Sequence, residues 1–95
     1  MTELQRINLI NDTANAIGAI KARYQVDVIK STEIPELVNM ETMQAIGLGV
    51  KLQLNTKYNY TEELLTKWKN MLNADEWELS VKRGQLVITF KVKYK

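Results

Sequence analysis

Glu76-Trp77-Glu78-Leu79-Ser80-Val81-Lys82-Arg83-Gly84-Gln85-Leu86-Val87-Ile88-Thr89-Phe90-Lys91-Val92-Lys93-Tyr94-Lys95 is two alternating runs around a turn. On the first arm Trp77, Leu79 and Val81 oppose Glu76, Glu78, Ser80 and Lys82. On the second, Leu86, Ile88, Phe90, Val92 and Tyr94 oppose Val87, Thr89, Lys91, Lys93 and Lys95. Side chains of period two line opposite faces of a strand, so each arm has an oily face and a polar one. Gly84 reaches positive φ without steric cost and supplies the turn. A β-hairpin with one buried side is expected.

Working back, Leu64, Leu65, Trp68, Met71 and Leu72 form a helical stripe. Thr61 stands ready to cap it, Glu62 and Glu63 complement the positive helix end, Tyr60 can staple against Leu65, and Asn73 suits its exit. Before it, Val50-Lys51-Leu52-Gln53-Leu54-Asn55-Thr56-Lys57-Tyr58 alternates like the hairpin arms, with Val50, Leu52, Leu54 and Tyr58 on the dry side. Gly47-Leu48-Gly49 reads as the break ahead of that strand. Pro35 suits the first turn of a helix whose apolar surface is Leu37, Val38, Met40, Met43, Ala45 and Ile46. Met40 and Met43 are expected to fill gaps in the core, with a partner site as the alternative.

Tyr24 to Lys30 alternates as a strand, and Ser31-Thr32-Glu33 follows as a turn or cap. The first helix is expected from about Thr2 to Arg23. Thr2 and Gln5 have capping-box spacing, and Leu4, Ile7, Ile10, Ala14, Ile17, Ile20 and Tyr24 make the apolar face. Ala14, Gly18 and Ala22 add a stripe of small residues at steps of four, read as close packing on the protein's own sheet in preference to a dimer seam. The elements together give one α+β domain over residues 1–95: a small mixed or antiparallel sheet of three to four strands, helices packed on one face, and the hairpin from residue 76.

Composition then narrows the chemistry. The chain has 95 residues, 45% apolar and 25% charged at a net charge of +2, which is enough apolar matter for one core. It contains no histidine and no cysteine, which removes thiol nucleophiles, imidazole bases and the common zinc ligands. Ser31 and Ser80 have no histidine to activate them. The carboxylates show no metal-ligand spacing, and the glycines form no phosphate loop. No enzyme activity and no cofactor are expected. No run of about 20 apolar residues or secretory leader is apparent, so a cytoplasmic protein without membrane contact is expected.

Charge is uneven along the chain. Residues 1–48 carry four Lys/Arg against six Asp/Glu, and residues 49–95 carry nine against five. Lys51, Lys57, Lys82, Arg83, Lys91, Lys93 and Lys95 make up the candidate binding surface. Lysine on exposed strands also serves simply to block aggregation. Sheet-based nucleic-acid binders stack bases on outward aromatics, whereas Trp77, Phe90, Tyr94 and Tyr58 fall on the dry phase here. The leading expectation is therefore a non-enzymatic protein-binding module, in the style of small phage or mobile-element accessory proteins that bind and inhibit or adapt a larger machine. Homodimerisation is compatible with it. Phosphate-directed nucleic-acid binding through the basic hairpin is the alternative.

Overall fold

The computed structural model describes residues 2–24, 29–55 and 60–94. The order is α1 (Glu3–Tyr24), β1 (Ile29–Glu33), β2 (Glu36–Val38), β3 (Ala45–Leu54), α2 (Glu62–Met71), β4 (Glu76–Lys82) and β5 (Gln85–Lys93). The strands form one antiparallel sheet in the order β1-β3-β5-β4, with β2 pairing the other end of β3. This is the expected α+β class, with five strands and two helices among the described residues where three to four strands and three helices were expected.

One apolar core lies on one side of the sheet. Leu48, Val50, Leu52 and Leu54 of β3 and Ile88, Phe90 and Val92 of β5 meet Ile17 and Ile20 of α1 and Leu65, Trp68 and Leu72 beside α2. The even-numbered residues of β3 and β5 thus face the helices, as their alternation predicts. Each helix begins as its sequence foretells. The Thr2 amide donates to Gln5 Oε1 at 2.8 Å and the Gln5 amide to Thr2 Oγ1 at 3.2 Å, a reciprocal capping box. Thr61 Oγ1 accepts from the Leu64 amide at 3.2 Å. Tyr60 sets its ring edge-on to Trp68, with centroids 6.1 Å apart, and donates its hydroxyl to the Asn55 carbonyl.

The hairpin turn is type I′, with Arg83 at φ 53° and Gly84 at φ 75°. Its two-residue loop sets the register Lys82↔Gln85, which continues to Glu76↔Lys91.

Four expectations are corrected. The helix expected from Pro35 to Ile46 is a β-hairpin, β2 to β3. Asn39 Oδ1 accepts from the Glu41 amide at 2.9 Å, the Asn39 amide donates to the Gln44 carbonyl, and Met43 takes φ 59°. The side chain of Asn39 thereby satisfies the backbone in a turn instead of a helix. Met40 and Met43 sit on that turn in solvent and do not fill the core. Gly47-Leu48-Gly49 is not a break but strand interior: a Cβ at Gly47 would collide with the Val92 carbonyl oxygen, and one at Gly49 would lie 3.0 Å from Leu37 Cδ2. Glycine lets β5 and Leu37 come this close. Ser31-Thr32-Glu33 belongs to β1, not to a turn, paired with Lys51, Leu52 and Gln53. The strand expected at 24–30 is described only from Ile29 onward, and Tyr58 lies outside the described residues.

The dry faces are also shorter than their patterns. On α1, Leu4 and Ile7 are exposed, while Leu9, Ile10, Thr13, Ile17 and Ile20 turn inward. Ala14, Gly18 and Ala22 face solvent, and a Cβ on Gly18 would meet nothing within 4 Å, so this stripe does not pack on the sheet. On β4, Trp77 reaches the core but Leu79 and Val81 do not.

The start of α1 is tied to the far end of the sheet. Arg6 donates to Glu3 and, at 2.8 Å, to Glu36 Oε1, while the Tyr94 hydroxyl donates to Glu36 Oε2 at 2.7 Å. The hydrogen bonds from Tyr94 and Arg6 hold the Glu36 carboxyl below the usual carboxylate range. A lowered carboxylate pKa adds stability above its unfolded value, and this is lost as pH falls through the folded value. Glu36→Gln is therefore expected to lower the melting temperature at neutral pH and to lower it less at a pH acid enough to protonate Glu36 in the folded protein. An equal deficit at both pH values in thermal melts would contradict this.

Candidate functional site

The side of the sheet away from the helices carries Ser31 and Glu33 of β1, Lys51 and Gln53 of β3, Val87, Thr89, Lys91 and Lys93 of β5, and Glu76, Glu78, Ser80 and Lys82 of β4. Four of the seven candidate residues, Lys51, Lys82, Lys91 and Lys93, are brought together here, and Arg83 sits on the adjoining turn. Lys57 and Lys95 lie outside the described residues.

The electrostatics of this face are mixed. The Lys91 ammonium stands 3.7 Å from Glu76 Oε1 and 3.7 Å from Glu78 Oε2. Glu33 is the register partner of Lys51, and Ser31 donates to Gln53 Oε1 at 2.8 Å. A lysine between two carboxylates offers little net charge to a phosphate, since exposed pairs at this range already screen one another. A small depression of about 180 Å³ lies among Ser31, Glu33, Lys51, Gln53, Lys82 and Val87. It is polar at the rim and carries both signs of charge.

At the other end of the sheet the surface changes character. Val38, Met40, Met43 and Ile46 are all exposed on the β2–β3 hairpin, with Met40 at 82% and Met43 at 72%. The pairing Val38↔Ala45 and the Asn39–Gln44 backbone bond hold these residues on one short ribbon. Beside them opens a groove of about 500 Å³, with Leu37, Val38 and Ile46 as its apolar side and Glu76, Lys91, Lys93 and Tyr94 as its polar side. Leu37 is drawn over Gly49, which leaves room beneath it. Apolar walls with a few convergent polar groups are what a recognition groove requires.

This patch was invisible to a helical reading of residues 35–46, which put the methionines inside. The signal that finds it is Asn39 followed by Glu41 and Thr42, a side chain suited to closing an Asx turn. The ion pairs of Lys91 were more accessible: a two-residue turn at Arg83-Gly84 places Glu76 opposite Lys91 by counting alone.

A second groove, of about 530 Å³, lies on the helix side between Leu9 and the end of α2, near Asn73 and Asp75. Asp75 is occupied in joining the sheet, since its carboxylate accepts from the Lys93 amide at 2.8 Å. Among the described residues no group of three or more acidic side chains is placed to hold a metal ion, and no helix is long and apolar enough to cross a membrane. No protein family matches the chain, and no curated protein or solved structure matches it either.

Proposed function

We propose that this chain is a protein-binding module that works by occupancy rather than catalysis, docking a partner on the β2–β3 end of its sheet. The observation that carries the reading is the joint exposure of Val38, Met40, Met43 and Ile46 on one hairpin beside the groove. Large apolar side chains gathered at the surface mark interaction sites, and methionine adapts its three rotatable bonds to the partner's shape. The groove selects among partners: apolar side chains suit Leu37 and Ile46, and an acidic group suits the exposed Lys93 at its rim. The fitting occupant is a protein segment with apolar anchors flanked by a carboxylate. Attached to such a segment of a larger assembly, the module would block or adapt the surface beneath it.

The test compares variants in capture from a lysate of the native host. Wild type is expected to retain a stoichiometric protein, Met40→Glu with Met43→Glu to lose it by at least about tenfold, and Lys82→Glu to keep it. Capture of the same protein by all three would overturn the proposed surface. Recovery of nucleic acid alone, with a mobility shift at about 50 mM salt that Lys82→Glu weakens, would favour phosphate binding and contradict the reading.

A further inference from the structure

The edge of the sheet at β4 points to a different partner, a second copy of this chain. Among the described residues β4 pairs with β5 alone, so its outer edge is the end of the sheet. The strand is seven residues long and pairs without a register shift, and it contains neither proline nor glycine. Exposed edges are normally blunted by bulges, prolines, inward charges or lysine, because their free amides and carbonyls accept another strand; of these β4 carries only Lys82, at its turn end.

Two further features of β4 make it complementary to itself. Leu79 and Val81 lie on the helix side of the sheet, in phase with the half-buried Trp77, yet they are 44% and 71% exposed. The core against which Trp77 packs does not extend to them. Reversing the strand about Leu79 sets Leu79 opposite Leu79 of the second copy, Trp77 opposite Val81, Glu78 opposite Ser80 and Glu76 opposite Lys82. Every apolar residue then meets an apolar one, and the acidic start of the strand meets its basic end twice. Isologous two-fold contacts require such self-complementarity, and directly opposed cross-strand pairs of these kinds are favourable.

We propose that two copies join antiparallel through β4, extending each five-stranded sheet into one continuous sheet across a two-fold axis at Leu79. Trp77, Leu79 and Val81 of both copies form an apolar row on the helix side. On the open side Glu76 lies between its own Lys91 and the Lys82 of the second copy. This joint leaves the β2–β3 hairpin on the opposite edge free and shares only Glu76 with the proposed docking groove, so it would make the module bivalent.

The chain lacks cysteine, which makes a trapping experiment simple to read. Leu79→Cys is expected to form a disulfide-linked dimer under mild oxidation much faster than Glu62→Cys, placed on the exposed start of α2. Light scattering should find wild type at twice 11.0 kDa as concentration rises toward about 1 mM, and Leu79→Lys with Val81→Lys at 11.0 kDa with unchanged circular dichroism. Glu76→Lys and Lys82→Glu should each weaken the dimer and the double variant should restore it. Cross-linking of Leu79→Cys no faster than Glu62→Cys, or a wild-type mass of 11.0 kDa throughout, would overturn the proposal. So would a dimer indifferent to the lysine substitutions.

Discussion

Replacing Trp68 with alanine is expected to remove about 3–5 kcal/mol of folding stability, a large part of the roughly 5–15 kcal/mol that holds a domain together. Trp68 is fully buried where α2 meets the sheet, and it packs in one cluster with Leu52, Ile88 and Phe90. Truncating it forfeits the transfer energy of the indole. It also leaves a void that the two flanking layers can fill only by moving α2, which is fixed at Thr61 and against Tyr60. Leu4→Ala is the informative comparison. A helical-wheel reading counts Leu4 among the apolar face of α1, but the structure exposes it, so its loss should stay within about 0.5 kcal/mol in denaturant titration. Similar losses for the two variants would mean that the helices pack otherwise.

The second large effect comes from a single methyl group. Gly47→Ala is expected to cost on the order of 1–3 kcal/mol, because the new Cβ would run into the Val92 carbonyl oxygen and within 3.0 Å of Lys93 Cα. Both obstacles are backbone of the neighbouring strand. No rotamer change relieves them, and β3 and β5 must separate at the one pairing that spans the middle of the sheet. Gly18→Ala should act with the opposite sign. Its Cβ meets nothing, and alanine in a helix interior gains about 0.5–1 kcal/mol over glycine. Urea titrations of the two variants should therefore move their midpoints in opposite directions.

These glycines show where local pattern stops informing. Gly18 sits in a helix whose start and period were legible in Thr2, Gln5 and the recurring isoleucines, and its neighbours needed no knowledge of the sheet. Gly47 is glycine because of Val92, 45 positions along the chain, and nothing local distinguishes that from a helix end. The same limit explains residues 35–46. Leu37, Val38, Met40, Met43, Ala45 and Ile46 suit a helix stripe as well as they suit a hairpin, and the pairing with β3 decides the matter. Sidedness was legible almost throughout: Phe90 and Trp77 face the core, and Lys51, Lys91 and Lys93 do not. The extent of cover was not. Leu79 and Val81 have the right phase for burial, but the helices leave that part of β4 bare.

The candidate site follows the same division. Alternation correctly assigns the lysines to the open face, and the hairpin turn supplies enough register to pair Lys91 with Glu76. What alternation cannot supply is the apolar end of the sheet, because that end exists only once β2 has paired with β3. The shift in emphasis from a basic face to a methionine-bearing hairpin therefore rests on tertiary pairing, not on a composition that the sequence concealed.

Methionine oxidation followed by mass spectrometry tests the proposed docking surface most directly, since it reads the same side chains in the free chain and in any captured complex. With dilute peroxide, Met40 and Met43 should oxidise rapidly in the free protein and the half-buried Met71 slowly. On adding the partner, Met40 and Met43 should become protected while Met71 keeps its rate. Met40 and Met43 oxidising as fast in the complex as in the free chain would contradict the account.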